Sequence, residues 1–255
     1  YPDFMLVAAD QVFNQIGKAR HMFGGDNAMP LVLRTKVAMG TGYGSQHSMD
    51  PAGMFATAPG WRIVAPSTPF DYVGLMNSAL HCNDPVLVLE HVDLYNSKGA
   101  VPVDDLDYFI PFGKAKVVRP GTHITILTYL SMVEKTRQVV EAMAIDAEII
   151  DLRTLDRAIL DWEAIETSIR KTNNVLIVEQ GTAGTSYGGW LADALQRRVF
   201  DWLDQPIVRV HGGEASPSIS RVLDAAACAR PQDIESALRE AMAAQGLPVT
   251  APRSA

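Results

Sequence analysis

The chain has 255 residues, 47% apolar and 20% charged, which allows a packed core and excludes global disorder. Its 22 Lys and Arg against 29 Asp and Glu leave a net charge of −7, which argues against a nucleic-acid binder and is compatible with basic protein partners. Two distant cysteines, Cys82 and Cys228, and no apolar run near the roughly 18 residues of a membrane span exclude a disulfide scaffold, a cysteine zinc site and a spanning helix; a reducing, cytoplasmic setting is expected.

Met5, Ala9, Val12, Phe13 and Ile16 recur at helical spacing, so residues Asp3 to His21 are expected to form a helix. A domain that opens inside a helix, with no strand to feed it and no secretory leader, reads as truncated. Pro30 to Arg34 is a predicted strand, followed by the glycine-rich run Gly40-Thr41-Gly42-Tyr43-Gly44-Ser45-Gln46-His47. Trp61 to Ala65 is a second strand, Asp71 to His81 a helix, and Pro85 to Glu90 a third strand, apolar without alternation as in a sheet covered on both faces. From His91 to Pro111 prolines and acids without periodicity read as a linker.

The alternation then restarts. His123 to Leu127 is a strand, and Ser131 with Glu134 three residues on forms a capping box ahead of Val133, Thr136, Val140 and Met143. Ala147 to Leu152 is a strand; Asp161 caps a helix holding Trp162, Ile165 and Ile169. Asn174 to Glu179, a helix from Gly188 to Phe200, and the strand Pro206 to Val210 follow. The closing helix starts at Pro231, a favoured first-turn residue, and shows Ile234, Ala237, Leu238, Ala241 and Met242 at ideal spacing; beyond Gly246 a frayed tail is expected. Such alternation predicts an α/β fold of two doubly wound units with parallel sheets, divided near residues 92–112.

Ligands of a doubly wound sheet gather beyond the carboxyl ends of its strands, where the glycine run lies. Its glycines allow positive φ and close backbone approach; a dinucleotide fingerprint would need glycine where Ser45 stands, so nucleotide binding and a mobile loop both stay open. His47 closes the run and is the histidine placed for a functional role; His21, His81, His91, His123 and His211 lack that context. Gly184-Thr185-Ser186-Tyr187-Gly188 matches the nucleophile elbow of hydrolases, with Asp204 and His211 in the right order, but several residues separate Ser186 from the strand end near Gln180. Glu90, Asp151 and Glu179 each end an apolar strand, where a carboxylate either acts in chemistry or caps the next helix.

Asp3-Phe4, Asp10-Gln11, Lys18-Ala19-Arg20, Phe23-Gly24-Gly25, Gln46-His47-Ser48, Ala58-Pro59-Gly60, Asn83-Asp84-Pro85-Val86, Phe112-Gly113-Lys114-Ala115 and Glu179-Gln180-Gly181 occur together and in order. With them the chain, from Asp3 to about Gln245, resembles the β subunit of thiamine diphosphate-dependent 2-oxo acid dehydrogenases of the pyruvate, branched-chain and acetoin types. The resemblance implies a pyrimidine-binding domain over 1–112 that lacks its N-terminal part, a transketolase-type C-terminal domain over 113–246, and a tail over 247–255. It implies an α₂β₂ heterotetramer with β subunits paired, magnesium held by the α subunit, and a lipoyl transacylase core as partner.

Residue by residue, Phe4 matches the aromatic that packs on the aminopyrimidine, and His47 the histidine that assists acyl transfer to lipoyl. Leu31, Ala79, Leu80, Cys82 and Asp84 fall where the family binds potassium, mostly through main-chain oxygens; Cys82 departs from the common Asp. The activating glutamate of the family falls upstream of Tyr1, so residues 1–255 alone are expected to be inactive. The alternatives are a non-catalytic assembly module and a hydrolase using Ser186.

Overall fold

In the computed structural model, which describes residues 1–184 and 186–248, the chain winds around two sheets. Residues 2–22 are helical as expected, but the pitch changes along them: a 3₁₀ stretch over Pro2–Ala8, a widened π stretch over Asp10–Ile16, then α1 over Gly17–Met22. In the π stretch the Val12 carbonyl accepts from both the Gly17 N–H and the Trp61 indole N–H, the latter at 3.1 Å, a side chain inserted into the helix's own ladder. Gly17 makes room for it, since a Cβ there would lie 2.8 Å from the indole nitrogen.

The first sheet holds β1 (Val32–Val37), β2 (Arg62–Val64) and β3 (Val86–His91) in the order β1-β3-β2, all parallel. All six residues of central β3 are buried, which explains its unalternating run. α2 (Ala52–Ala56) packs on one face of this sheet. α3 (Pro69–Leu80) lies on the other, started by Thr68, whose hydroxyl accepts from the Asp71 N–H at 3.1 Å. The predicted linker lacks periodicity but is not loose. Asn77 donates to the Leu106 and Tyr108 carbonyls at 2.7 and 2.9 Å, and Ile110 is buried against α3.

The second sheet is built from β4 (Lys116–Arg119), β5 (Ile124–Thr128), β6 (Ala147–Asp151), β7 (Val175–Thr182) and β8 (Val208–Gly212), in the order β4-β6-β5-β7-β8. β4 is an antiparallel edge that the sequence reading missed; four residues with one bulge offer too little pattern to recognise. α4 (Ser131–Ala142) and α8 (Pro231–Ala244) cover one face, α5 (Trp162–Thr172) and α6 (Tyr187–Val199) the other. A short α7 (Arg221–Ala227) precedes α8.

Asp161 accepts from the Ala164 N–H at 3.3 Å, as expected of a cap, and Pro231 opens α8. The Ser131–Glu134 capping box does not form. Leu130, at φ 51°, is the cap; the Ser131 hydroxyl turns toward Gln180 of β7, and Arg137 binds Glu134. Gly246, at φ 70°, ends α8 in a Schellman turn: Leu247 N–H donates to Met242 and Gly246 N–H to Ala243, both at 3.0 Å. Leu247 thereby packs on the second core rather than fraying, and tail residues 249–255 lie outside the described residues.

The two sheets are stitched together by backbone. After β6 the chain runs antiparallel to β2, with Ala65 N–H donating to Arg153 and Leu155 N–H to Ile63, both at 2.8 Å. One apolar cluster continues from Phe55, Ile63 and Leu87 through Leu152 and Leu155 into Ile165 and Leu191. Beside the seam, Asp71 and Arg153 form a buried ion pair, and the Ser67 hydroxyl meets Asp151 at 2.5 Å. Among the described residues no helix is long and apolar enough to cross a membrane.

Candidate active site at the domain seam

The glycine run leaves the carboxyl end of β1 with Gly40, Gly42 and Gly44 at φ 80°, 78° and 81°, conformations that side chains with a Cβ resist. It closes in a single 3₁₀ turn, Ser45–His47, not in the longer helix whose N-terminus a dinucleotide phosphate requires; the nucleotide alternative is set aside on that ground. His47 is half-buried. Its ring meets Phe4 edge-on at 5.1 Å between centroids and Tyr1 at 4.7 Å. The fold therefore brings together two of the site residues the sequence singled out, 43 positions apart. Phe4 keeps 51% of its surface exposed, so a flat apolar face is open to a ligand or a second chain. Nearby, the Lys36 ammonium lies 5.4 Å from the centres of the Tyr1 and Tyr95 rings and 5.7 Å from that of Tyr43.

A cleft of about 760 Å³ opens beside this cluster at the seam between the halves of the chain. Asp3 and Ser48, the chain neighbours of Phe4 and His47, are in its wall, with Asp50, Gly181, Trp190 and Glu214. Burial pushes the Asp50 carboxyl up to about 6, opposed by the Ala52 N–H and the Tyr129 hydroxyl, each donating at 3.0 Å. No motif marked Asp50 or Tyr129, because their pairing spans 79 positions.

Leu31, Ala79, Leu80, Cys82 and Asp84 gather at the C-terminal end of α3 and the entry to β1, where the Val86 N–H donates to Leu31 at 2.8 Å and the Cys82 N–H to Ala79 at 3.2 Å. The Asp84 carboxylate is taken by two guanidinium groups, Arg20 and Arg62, and its own N–H donates to the Cys82 sulfur at 3.3 Å. The Asp84 carboxylate is therefore not free, and a cation here would rely on main-chain oxygens, of which those of Leu31 and Ala79 also accept these backbone hydrogen bonds. That donor set suits a weakly solvated monovalent ion better than magnesium. Among the described residues no group of three or more His, Cys, Asp and Glu is placed to hold a metal.

Ser186 is not a hydrolase nucleophile. β7 ends at Thr182, and the Ser186 hydroxyl bonds Glu179 at 2.7 Å while accepting from Arg209 at 2.6 Å. His211 directs Nδ1 to the Gly212 carbonyl at 2.8 Å, and Thr185 lies outside the described residues. The strand-end carboxylates also have structural employment. Glu179 caps α6 by accepting from the Gly188 N–H at 2.7 Å and pairs with Arg209 at 2.9 Å. Glu90 accepts from Arg34, Tyr72 and Tyr95. Asp151, driven up to about 7 by burial, binds Ser67 and accepts from the Arg153 N–H.

Residues 1–98 match the transketolase pyrimidine binding domain family and residues 113–234 the transketolase C-terminal domain family. The chain is 37% identical over 242 residues to the "Pyruvate dehydrogenase E1 component subunit beta" of Porphyra purpurea, covering 92% of this chain and 71% of that protein. It is 41% identical over 183 residues to the "Acetoin:2,6-dichlorophenolindophenol oxidoreductase subunit beta" of Cupriavidus necator, covering 71% and 53%. Among solved structures, a "Split gene transketolase, inactive beta4 tetramer" superposes with a TM-score of 0.67 at 19% identity, over 89% of this chain and 73% of that one, a likeness of fold. With both domain families matched in order and these relatives alike over most of its length, the chain belongs to the family of β subunits of thiamine diphosphate-dependent 2-oxo acid and acetoin dehydrogenases.

Proposed function

We propose that the chain is the β part of a decarboxylating 2-oxo acid or acetoin dehydrogenase, which passes an acyl group from thiamine diphosphate to lipoyl. The observation that carries this is the edge contact between His47 and the half-exposed Phe4, at the seam and beside a cleft. Phe4 would pack on the aminopyrimidine and exclude water from one face of it. His47 would hold or deliver a proton near neutral pH beside the acyl group being passed, which an imidazole does at little cost. Thiamine diphosphate, when bound, supplies the carbon nucleophile and electron sink for decarboxylation.

An α chain would complete the site and hold magnesium, two β chains would pair, and a lipoyl transacylase core would receive the acyl group. Potassium would sit among the main-chain oxygens of Leu31, Ala79, Leu80, Cys82 and Asp84. We place the domain boundary between residues 112 and 113. Gly113, at φ 75° and with no room for a Cβ, which would lie 2.3 Å from the Ile159 carbonyl oxygen, supports a fixed corner there. The free thiols of Cys82 and Cys228 suit a cytoplasmic setting.

The test is co-expression with an α chain and assay of a panel of 2-oxo acids and acetoin, first with a dye acceptor and then with a lipoyl domain. His47→Ala is expected to lower lipoyl acylation by about 100-fold or more, the range of a lost general acid–base group. Near-normal acylation would overturn the assigned role.

A further inference from the structure

His47 rides on a loop of the first half of the chain, yet much of what holds that loop comes from the second half. The Gly42 N–H donates to the Asp224 carboxylate at 3.0 Å, across 182 positions. The Ser45 hydroxyl donates to the Pro217 carbonyl at 2.8 Å. The turn before α7, and the end of that helix, back the loop: a Cβ on Gly40 would touch the Cys228 sulfur at 3.7 Å, and one on Gly44 would touch Ile219 at 3.8 Å. Asp224 is 3% exposed, its other oxygen 3.8 Å from the Cys228 sulfur, and among the described residues it has no cationic partner within 4 Å. A buried carboxylate with no cation, held by one backbone N–H of a glycine turn and the weakly donating Cys228 thiol, is an expensive arrangement unless the position of that turn matters.

We propose that Asp224 is a positioning residue for His47: by fixing Gly42, the second domain sets where the first domain presents its imidazole. The site is then built across the seam within this one chain, and its geometry follows any shift of α7. An unfixed glycine turn explores both signs of φ, and the His47 ring would leave its edge contact with Phe4 for part of the time. The inference rests on the proposed acyl-transfer role of His47.

The experiment uses the full β chain assembled with its α chain and measures lipoyl acylation. Asp224→Ala is expected to lower kcat about tenfold, with KM for the lipoyl domain within twofold. Asp224→Asn retains an oxygen facing Gly42 and is expected to recover at least half of the wild-type rate. Asp224→Ser, whose hydroxyl stops short of Gly42, serves in place of the alanine variant should that fail to assemble. In a His47→Ala background the Asp224→Ala change is expected to cost less than twofold more, because a residue acting only through His47 has nothing left to position. Wild-type acylation by Asp224→Ala or Asp224→Ser, failure of Asp224→Asn to recover, or a full tenfold loss on top of His47→Ala would each overturn the proposal. Normal acylation by His47→Ala alone would instead reject the role of His47, so the two failures are distinguishable.

Discussion

Replacing Gly188 by alanine tests the assignment of Glu179 as a structural carboxylate. A Cβ at position 188 would lie 2.2 Å from Glu179 Oε1, 2.7 Å from its Cδ and 3.0 Å from Ile177 Cγ2. Glu179 is fully buried and held by the Gly188 N–H, the Ser186 hydroxyl and Arg209 at 2.7 to 2.9 Å, so the carboxylate cannot retreat without losing a partner. Overpacking of this kind costs about 1–3 kcal/mol. Partial loss of a buried ion pair costs more, up to about 3–5 kcal/mol when one partner is removed outright. Alanine over glycine in a helix returns at most about 1 kcal/mol. A net loss of roughly 3 kcal/mol is expected, and with a urea m-value of about 1–3 kcal/mol/M the midpoint should fall by at least about 1 M. Unfolding followed by tryptophan fluorescence reports it directly, since Trp190 lies on the same helix. In a Glu179→Ala background the added methyl has space, and the two losses should be non-additive by about 1–3 kcal/mol. An unchanged midpoint, or simple additivity, would refute the reasoning.

Three further outcomes follow from the seam and its supports. Burial holds Asp151 at about 7, above its ordinary 3.8, so the native state keeps a proton that the unfolded chain releases. Stability from this group is therefore fullest below pH 4 and declines as pH rises to about 7. Asp151→Asn, which has no titrating proton and whose amide oxygen can still accept from the Arg153 N–H, should flatten that decline in urea midpoints taken from pH 4 to 8; parallel curves would count against it. Asp71→Asn strands the buried Arg153 guanidinium and should cost about 3 kcal/mol in the same assay, whereas a loss below about 1 kcal/mol would show that the pair contributes little. Gly60→Ala places a Cβ 1.7 Å from the Gly17 carbonyl oxygen at a φ of 111°, a backbone clash no rotamer relieves; loss of cooperative unfolding is expected, and a melting curve like that of the parent would refute it.

What the sequence determined by itself was whatever depends on near neighbours. Unbroken apolar runs at Val86–Leu89 and Val175–Val178 announce strands buried on both faces, where no alternation survives, and the spacing from Ile234 to Met242 announces a helix with one apolar side, written at a period of 3.6. Motif order pointed to the family, and with it to His47 and Phe4. Tertiary structure decided everything that joins distant positions: the indole of Trp61 inserted into the opening helix, the β4 edge, Ser131 turning from its cap to Gln180, the Asp84 carboxylate captured by Arg20 and Arg62, and Asp224 reaching Gly42. A carboxylate at a strand end has the same local signature whether it caps, pairs or reacts. Its burial and the groups that folding brings against it set its charge and its task, and no pattern of near neighbours encodes them.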